Sequence, residues 1–320
     1  MNFILLVIVM LSISCADKTK QTSSPDAVIG QRETRGEIQL SGAFALYPMA
    51  IKWAEEFRKL HPNIRIDISG GGAGKGITDA LAGVVDIGMV SREVYPEEID
   101  KGAFAIAVVK DAVLPTINTN NPEWPTIKKV GLKREIAQKL WNEEITTWGE
   151  VLGTASKIPV HVFTRSDACG AAETFAAWLG GKQENLKATA VFGDPGLASA
   201  VQKDRLAIGY NNIAYAYDQK TKKTFDGLTI IPIDVNENGV IDAEEDFYQS
   251  TETLIAAINE GRYPSPPARD LYLVTKGKPT KPEVLAFFQY ILTEGQLFAK
   301  ETGYIQLSEV KVTEGLDKLK

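Results

Sequence analysis

Three glycine-bearing turns each follow a strand-like run and precede a helical one. They span Ser41–Pro48, Ser69–Gly76 and Arg165–Gly170. The first N–H groups of a helix have no partner within that helix, and they lie at the positive end of its dipole. Several helix starts aimed at one point would bind an anion, and Arg165 would add a positive charge there. The turns therefore predict an oxyanion site.

The second turn also shares some features with a nucleotide-binding loop. A P-loop begins with glycine and ends with lysine followed by serine or threonine, whose hydroxyl binds magnesium. Here Ser69 stands at the first position and Gly76 follows Lys75. Because no hydroxyl is placed for magnesium, we do not predict a nucleotide site.

A separate segment, Asp234–Glu245, matches the calcium loop of an EF-hand. Oxygen-bearing side chains occupy its first, third, fifth and ninth places, with glycine at the sixth and glutamate at the twelfth. The predicted ligands of one Ca²⁺ are Asp234, Asn236, Asn238, Asp242, Glu245 and the backbone carbonyl of Val240. A strand pattern precedes the loop, so we expect an isolated structural site rather than a sensor pair. The alternative is an acidic turn without metal.

The first residues have the pattern of an export signal. An apolar run, Phe3–Ile13, is too short to cross a bilayer, and it ends just before Cys15 and a polar stretch. We expect residues 1–14 to be a lipoprotein signal peptide, Cys15 to carry the lipid, and residues 15–36 to form a flexible tether. Secretion without a lipid is the alternative. We expect the protein in the cell envelope, where the lipid would hold it at the periplasmic or extracytoplasmic face of a bacterial membrane.

Composition excludes several other classes of protein. The 320 residues carry a formal net charge of −6, which argues against a general nucleic-acid binder. Only two histidines are present, so a histidine-rich zinc site is not expected. If Cys15 carries a lipid, Cys169 is a lone thiol and no disulfide forms.

From Glu37 onward, strand and helix patterns alternate along the chain. Such alternation predicts an α/β fold with mostly parallel sheets and helices on both faces. We expect separate strands over Ala103–Val109 and Ala112–Ile117, a helix over Arg134–Trp141 and a long helix over Glu244–Glu260. The chain is expected to cross between two lobes at Asn118–Pro125 and at Tyr263–Pro267.

Several motifs resemble those of the phosphate-binding proteins that serve phosphate ABC importers. The similarity extends over Ile38–Leu307 and is carried by these segments: Gly42–Pro48, Gly70–Gly76, Val85–Arg92, Trp141–Trp148, Arg165–Ala171 and Ala207–Tyr210. The resemblance implies a two-lobed type II periplasmic-binding fold that holds a small oxyanion, most simply phosphate, between its lobes. The lobes would be residues 37–117 with 268–320, and residues 118–267. It also implies a monomer that delivers its ligand to an ABC permease and has no enzymatic activity.

The resemblance implies a ligand shell that departs from the family pattern. The positions that match it are Ala45, Leu46, Tyr47, Ala73, Gly74, Ser91, Arg92, Arg165, Asp167, Cys169, Gly170 and Ala171. Arg165 matches the family arginine. Ser91 stands where an aspartate accepts the proton of monohydrogen phosphate, and other hydroxyl ligands become Ala73, Cys169 and Ala171. That acceptor separates phosphate from sulfate, because a carboxylate repels a ligand that has no proton to give. Asp167 could supply that acceptor from another direction.

Three alternatives stay open at this point. The receptor could take another oxyanion, such as sulfate, molybdate or an organophosphate. Cys169 and Asp167 could serve a thiol-dependent hydrolase, although no base accompanies them in sequence. The chain could also be a surface scaffold with an emptied site. For Arg165 and Arg92 the simpler interpretation is a surface arginine, and for Cys169 it is a small buried residue at a helix start.

Overall fold

The computed structural model describes residues 35–320. The signal peptide, the lipid-bearing Cys15 and all but the last two residues of the tether lie outside the described residues. Within 35–320, no helix is long and apolar enough to cross a membrane.

The described chain alternates strands and helices as predicted. The strands are β1 Gly36–Gly42, β2 Ile64–Gly70, β3 Ile87–Val90, β4 Ala103–Asn118, β5 His161–Arg165, β6 Thr189–Val191, β7 Ala207–Asn212, β8 Leu228–Ile230 and β9 Ala268–Lys276. The helices are α1 Tyr47–Leu60, α2 Gly72–Ala82, α3 Pro96–Asp100, α4 Trp124–Val130, α5 Arg134–Trp141, α6 Trp148–Leu152, α7 Gly170–Trp178, α8 Gly193–Lys203, α9 Ile213–Ala216, α10 Thr251–Asn259, α11 Pro282–Leu292 and α12 Glu309–Leu319.

The strands form one continuous path of hydrogen-bonded neighbours. Their order is β2-β1-β3-β9-β4-β7-β5-β6, and β8 also pairs with β4. The outer pairs, β1 with β2 and β3, and β5 with β6 and β7, are parallel. The central pairs, which involve β4 and β9, are antiparallel. The alternating pattern predicted the outer pairs, whereas the direction of the central strands depends on where the chain returns.

Two hydrophobic cores lie along this path. The first core packs around Trp53, Phe57 and Phe287, and the second packs around Trp141 and Phe175. Both sets are fully buried, so each core excludes water by itself. A single apolar core stops growing at roughly 250 to 300 residues, and this chain of 320 residues divides its buried surface between two cores.

The chain passes between the cores inside strands. The two strands predicted around Val109 and Ala112 are one strand, β4, with an irregularity in its pairing between Ala107 and Val109. Its apolar residues pack in the first core up to Val109 and in the second core from Ala112. The chain returns to the first core within β9, because Ala268 packs in the second core and the later apolar residues of that strand pack in the first. The crossing expected at Asn118–Pro125 therefore lies earlier, and the exact lobe boundaries stay a prediction.

The long helix expected over Glu244–Glu260 is shorter than predicted. Helix α10 begins at Thr251, where the Ser250 side chain accepts a hydrogen bond from the backbone N–H of Thr253. Phe247 and Tyr248 precede it, and both are buried in the second core. A helix would point these two adjacent side chains about 100° apart. The turn before α10 instead allows both of them to face the second core.

Candidate functional site

The first two glycine turns lie side by side at the ends of neighbouring strands. The backbone N–H of Gly71 donates to the carbonyl of Gly42 over 2.8 Å. Gly42 has a φ of +129°, and a Cβ atom there would lie 2.4 Å from the carbonyl oxygen of Met89. Only glycine allows this contact. The starts of α1 and α2 are thereby held together at one edge of the first core.

The third turn comes from the second core and meets the second turn directly. The N–H of Gly74 in α2 donates to the carbonyl of Ala168 over 3.2 Å. A Cβ atom at Gly72 would lie 2.9 Å from an oxygen of Asp167, and one at Gly170 would lie 2.0 Å from the carbonyl oxygen of Ser91. The three turns predicted from sequence, and Ser91 after β3, therefore converge between the two cores.

Arg165, at the end of β5, is the charged group of this site. Its side chain is fully buried. Its Nε and Nη2 donate to the two oxygens of Asp167 over 2.8 and 2.6 Å, and its Nη1 donates to Asp194 over 2.6 Å. A guanidinium has five N–H groups, so three are held by carboxylates and two remain for a ligand. The interpretation of Arg165 as a surface arginine is wrong.

Arg92 has different partners from Arg165. Its guanidinium donates to both carboxylate oxygens of Glu98 over 2.9 and 2.7 Å and lies over the ring of Tyr95. Its Nε also lies 3.4 Å from Glu173 of α7. Arg92 thus links an element of the first core to one of the second, and its predicted role as an anion ligand stays a prediction.

The backbone positions expected to supply amide donors are at helix starts, as the pattern predicted. Ala45 and Leu46 lie in a 3-10 turn, Phe44–Leu46, that leads into α1. The carbonyl of Ala45 accepts from the hydroxyl of Tyr304, which fixes the turn. Ala73 and Gly74 lie in the first turn of α2, and Gly170 and Ala171 open α7.

Cys169 is buried, and its thiol has no base beside it. Burial raises its pKa to about 12, although the charge of Arg165 opposes this shift. Its Sγ accepts a hydrogen bond from the N–H of Ala172 and so caps α7. His161, the histidine nearest to it in sequence, contacts Asp204 over 2.6 Å instead. A thiolate nucleophile is therefore not favoured here.

Two functional features were missed from sequence. Asp194 was not singled out, although Phe192-Gly193-Asp194-Pro195 is a fourth glycine-bearing helix start after a strand. Phe44 was read only as part of the first turn. Its ring lies 6.0 Å from the Arg165 guanidinium and meets the ring of Phe192 edge-on at 5.9 Å. The Phe44 ring therefore covers the guanidinium on one side.

Comparison with known proteins gives the family. Residues 27–294 match the family described as the PBP superfamily domain. The chain belongs to the PBP superfamily.

Two relatives and one solved structure show what this chain is similar to. It is 25% identical over 281 residues to the protein SphX of Synechococcus elongatus, with 85% of this chain and 78% of that protein covered. It is 25% identical over 310 residues to the phosphate-binding protein PstS of Bacillus subtilis, with 95% and 92% covered. A solved structure from Clostridium perfringens, assigned as a phosphate ABC transporter substrate-binding protein with bound phosphate, has a TM-score of 0.70 at 25% identity. It covers 85% of this chain and 100% of its own.

These likenesses confirm the two-lobed α/β fold predicted from sequence. The first and second cores correspond to the two lobes of such proteins, and we call them the first and second lobes. The Bacillus subtilis relative and the Clostridium perfringens structure are named as binding proteins rather than enzymes.

We expect Cys169→Ser to keep oxyanion affinity within about tenfold of the wild type, or about 1.4 kcal/mol. A hydroxyl can accept the same hydrogen bond from Ala172 and cap the helix equally well. Calorimetric titration of the two proteins measures this. The thiol interpretation would replace ours if the wild type hydrolysed a phosphoester or thioester and the variant did not.

Proposed function

We propose that this protein is the substrate-binding component of an ABC importer and that it binds inorganic phosphate between its two lobes. The observation that carries the proposal is the convergence of helix starts from both lobes beside the buried Arg165. The names of the relatives support phosphate as the ligand and importer delivery as the role.

The chemistry of binding follows from the groups at this convergence. Backbone N–H groups at the starts of α1, α2 and α7 would donate to the phosphate oxygens. Arg165 would contribute its two remaining N–H groups as charge-assisted donors. Because the donors come from two lobes, a ligand between them would favour the closed arrangement of the lobes.

The cellular setting completes the proposal. We place the protein in the cell envelope, anchored through a lipid on Cys15 and monomeric, with an ABC permease as its partner. The apolar run before Cys15 supports export, and the relatives named as phosphate-binding proteins support transport. Detection of a diacylglyceryl group on Cys15 by mass spectrometry would test the anchor.

A second candidate ligand is sulfate or a related oxyanion. Ser91 carries a hydroxyl, which can donate to or accept from a ligand oxygen. Both oxygens of Asp167 are held by Arg165, and one of them also accepts from the N–H of Gly193 over 3.1 Å. Asp167 is thus engaged within the protein, which disfavours it as the acceptor for a ligand proton.

We expect Arg165→Ala to weaken phosphate binding by about 2–5 kcal/mol, because it removes one partner of a desolvated charge pair and leaves two buried carboxylates uncompensated. Calorimetry with inorganic phosphate on the folded variant measures this. Arg205→Ala is the matched control, since it removes an equal charge from an exposed position. Equal affinities for all three proteins would show that Arg165 does not belong to the ligand site.

We further expect the wild type to bind sulfate within about tenfold of phosphate, because Ser91 replaces the carboxylate that would accept a proton from phosphate and repel a ligand without one. Ser91→Asp should restore discrimination by losing sulfate while keeping phosphate. Competition titrations at pH 7.5 with both anions compare the two proteins. Strong preference of the wild type for phosphate would mean that another group accepts the proton.

We also propose that the segment Asp234–Glu245 binds one structural Ca²⁺. The motif supports this, and hydrogen bonds connect several of the predicted ligand side chains with one another. Asp242 accepts from the side-chain amides of Asn236 and Asn238, each over 2.9 Å, and the carboxylate of Asp234 is almost fully buried. A half-turn of each amide would direct its oxygen inward.

The carboxylates of this loop hold backbone N–H groups. Glu245 accepts from the N–H groups of Val235, Asn236 and Asp242. Over residues 35–320, no group of three or more His, Cys, Asp and Glu side chains is arranged to hold a metal. The proposal therefore rests on asparagine and backbone oxygens as well as carboxylates, the ligand mixture that calcium accepts.

Calcium at a hundred times its dissociation constant should stabilise the protein by about 2.7 kcal/mol and raise the melting temperature accordingly. Metal would relieve repulsion among three carboxylates and fix the loop on α4, where Ile241 already donates to the carbonyl of Lys129 over 2.7 Å. Melting curves with calcium and with EDTA measure the effect. Glu245→Gln should lose it, and Glu244→Gln, an exposed neighbour in the loop that is not a predicted ligand, should keep it. A melting temperature indifferent to calcium in metal-free wild type would reduce the motif to a turn.

A further inference from the structure

Arg165 belongs to a buried chain of polar groups that extends away from the anion site. Asp194, at the start of α8, binds Arg165 with one oxygen and accepts from the side-chain amide of Asn212 with the other. Asn212 in turn accepts from Arg269 of β9. Asp194 is 2% exposed and Asn212 is fully buried, so water does not compete for these contacts.

The far end of this chain lies where the two central strands pass between the lobes. Arg269 donates to Thr174 of α7 over 2.9 Å and lies 3.5 Å from Asp111 of β4. Arg269 and Asp111 are partners in the β4–β9 pairing. The chain Arg165–Asp194–Asn212–Arg269 therefore runs from the ligand side of the second lobe to the strands that link the lobes.

The charges along this chain are unbalanced at its ligand end. Arg165 is one cation held between two carboxylates, Asp167 and Asp194. The pair with Asp167 is bidentate, and its two hydrogen bonds fix the orientation of the guanidinium without a contribution from Asp194. The pair with Asp194 adds one bond to the guanidinium and a second negative charge beside the position of the ligand. An incoming anion meets a region whose net charge is negative.

We propose that Asp194 sets the anion affinity of the site by cancelling the charge of Arg165, and that it keeps this affinity lower than the helix starts and Arg165 alone would give. This inference rests on the proposed function, since it concerns the same site. Asp194 is a positioning residue: it reaches the ligand only through Arg165. Receptors of this kind must also release their ligand, and a weakened cation serves release.

Removing the charge of Asp194 separates this role from a structural one. In Asp194→Asn the side-chain oxygen can still accept from Nη1 of Arg165, while the negative charge is lost. We expect the Kd for inorganic phosphate to fall about tenfold or more, because one of the two negative charges beside Arg165 no longer repels the anion in a buried site. We also expect a lower melting temperature, because a helix start loses its carboxylate and a buried arginine loses a counter-ion. If Asp194 had only a structural role, the substitution would lower both the melting temperature and the phosphate affinity.

The experiment is calorimetric titration of the full-length wild type and its variants with phosphate and with sulfate, at low ionic strength. Asp194→Glu should return the affinity towards the wild-type value, because it restores the charge. Asp204→Asn is the control, since it makes the same chemical change at a part-exposed residue that contacts His161. If Asp194→Asn does not fold, Asp194→Ser supplies a second neutral side chain with an oxygen acceptor. Phosphate affinity that is unchanged or weaker in the folded neutral variant would overturn the inference and leave the proposed function standing. Wild type that binds neither anion would instead overturn the proposed function.

Discussion

A guanidinium buried without solvent must be surrounded by groups that compensate its charge, and the arrangement around Arg165 follows from that requirement. The side chain is fully buried, and it is held by Asp167 from its own turn and by Asp194 from the next helix start. Removing a charge from water costs several kcal/mol unless its partners are placed precisely. The turn after β5, the start of α8 and the strand β7 that carries Asn212 are thus fixed relative to one another.

The same requirement reaches the strands that connect the lobes. Arg269 and Asp111 lie on β9 and β4, and both are buried. Burial raises the pKa of Asp111 to about 6, with the nearby Arg269 opposing that rise. Because these two strands pass between the lobes without a loop, their polar pair lies where any opening of the lobes must bend the sheet. The proposed anion site and the strands that link the lobes are thereby joined through one set of buried contacts.

Main-chain and side-chain groups both join the lobes. The bond from Gly74 to Ala168 and the bond from the Tyr215 hydroxyl to the carbonyl of Phe44 both cross the interface, as does the pair of Arg92 with Glu173. Main-chain donors at this interface are the same groups that would bind an anion. Tight packing of Gly72 and Gly170 against the opposite lobe explains why side chains are excluded there. A donor at this interface, such as the N–H of Gly74, could therefore exchange its carbonyl acceptor on the other lobe for a ligand oxygen.

The sequence alone determined the alternation of strands and helices, the three glycine turns and the likeness to phosphate-binding proteins, because these depend on local periodicity and on residues close together in the chain. Helix α5 was predicted over Arg134–Trp141 and begins and ends there. Only the tertiary structure decided that β4 is one strand shared by both cores, that α10 begins at Thr251, and that Asp194 compensates Arg165. Asp194 and Arg165 are separated by 29 residues, and Asn212 and Arg269 by 57. Such pairings depend on which strands become neighbours in the sheet, and the local sequence pattern does not determine that order.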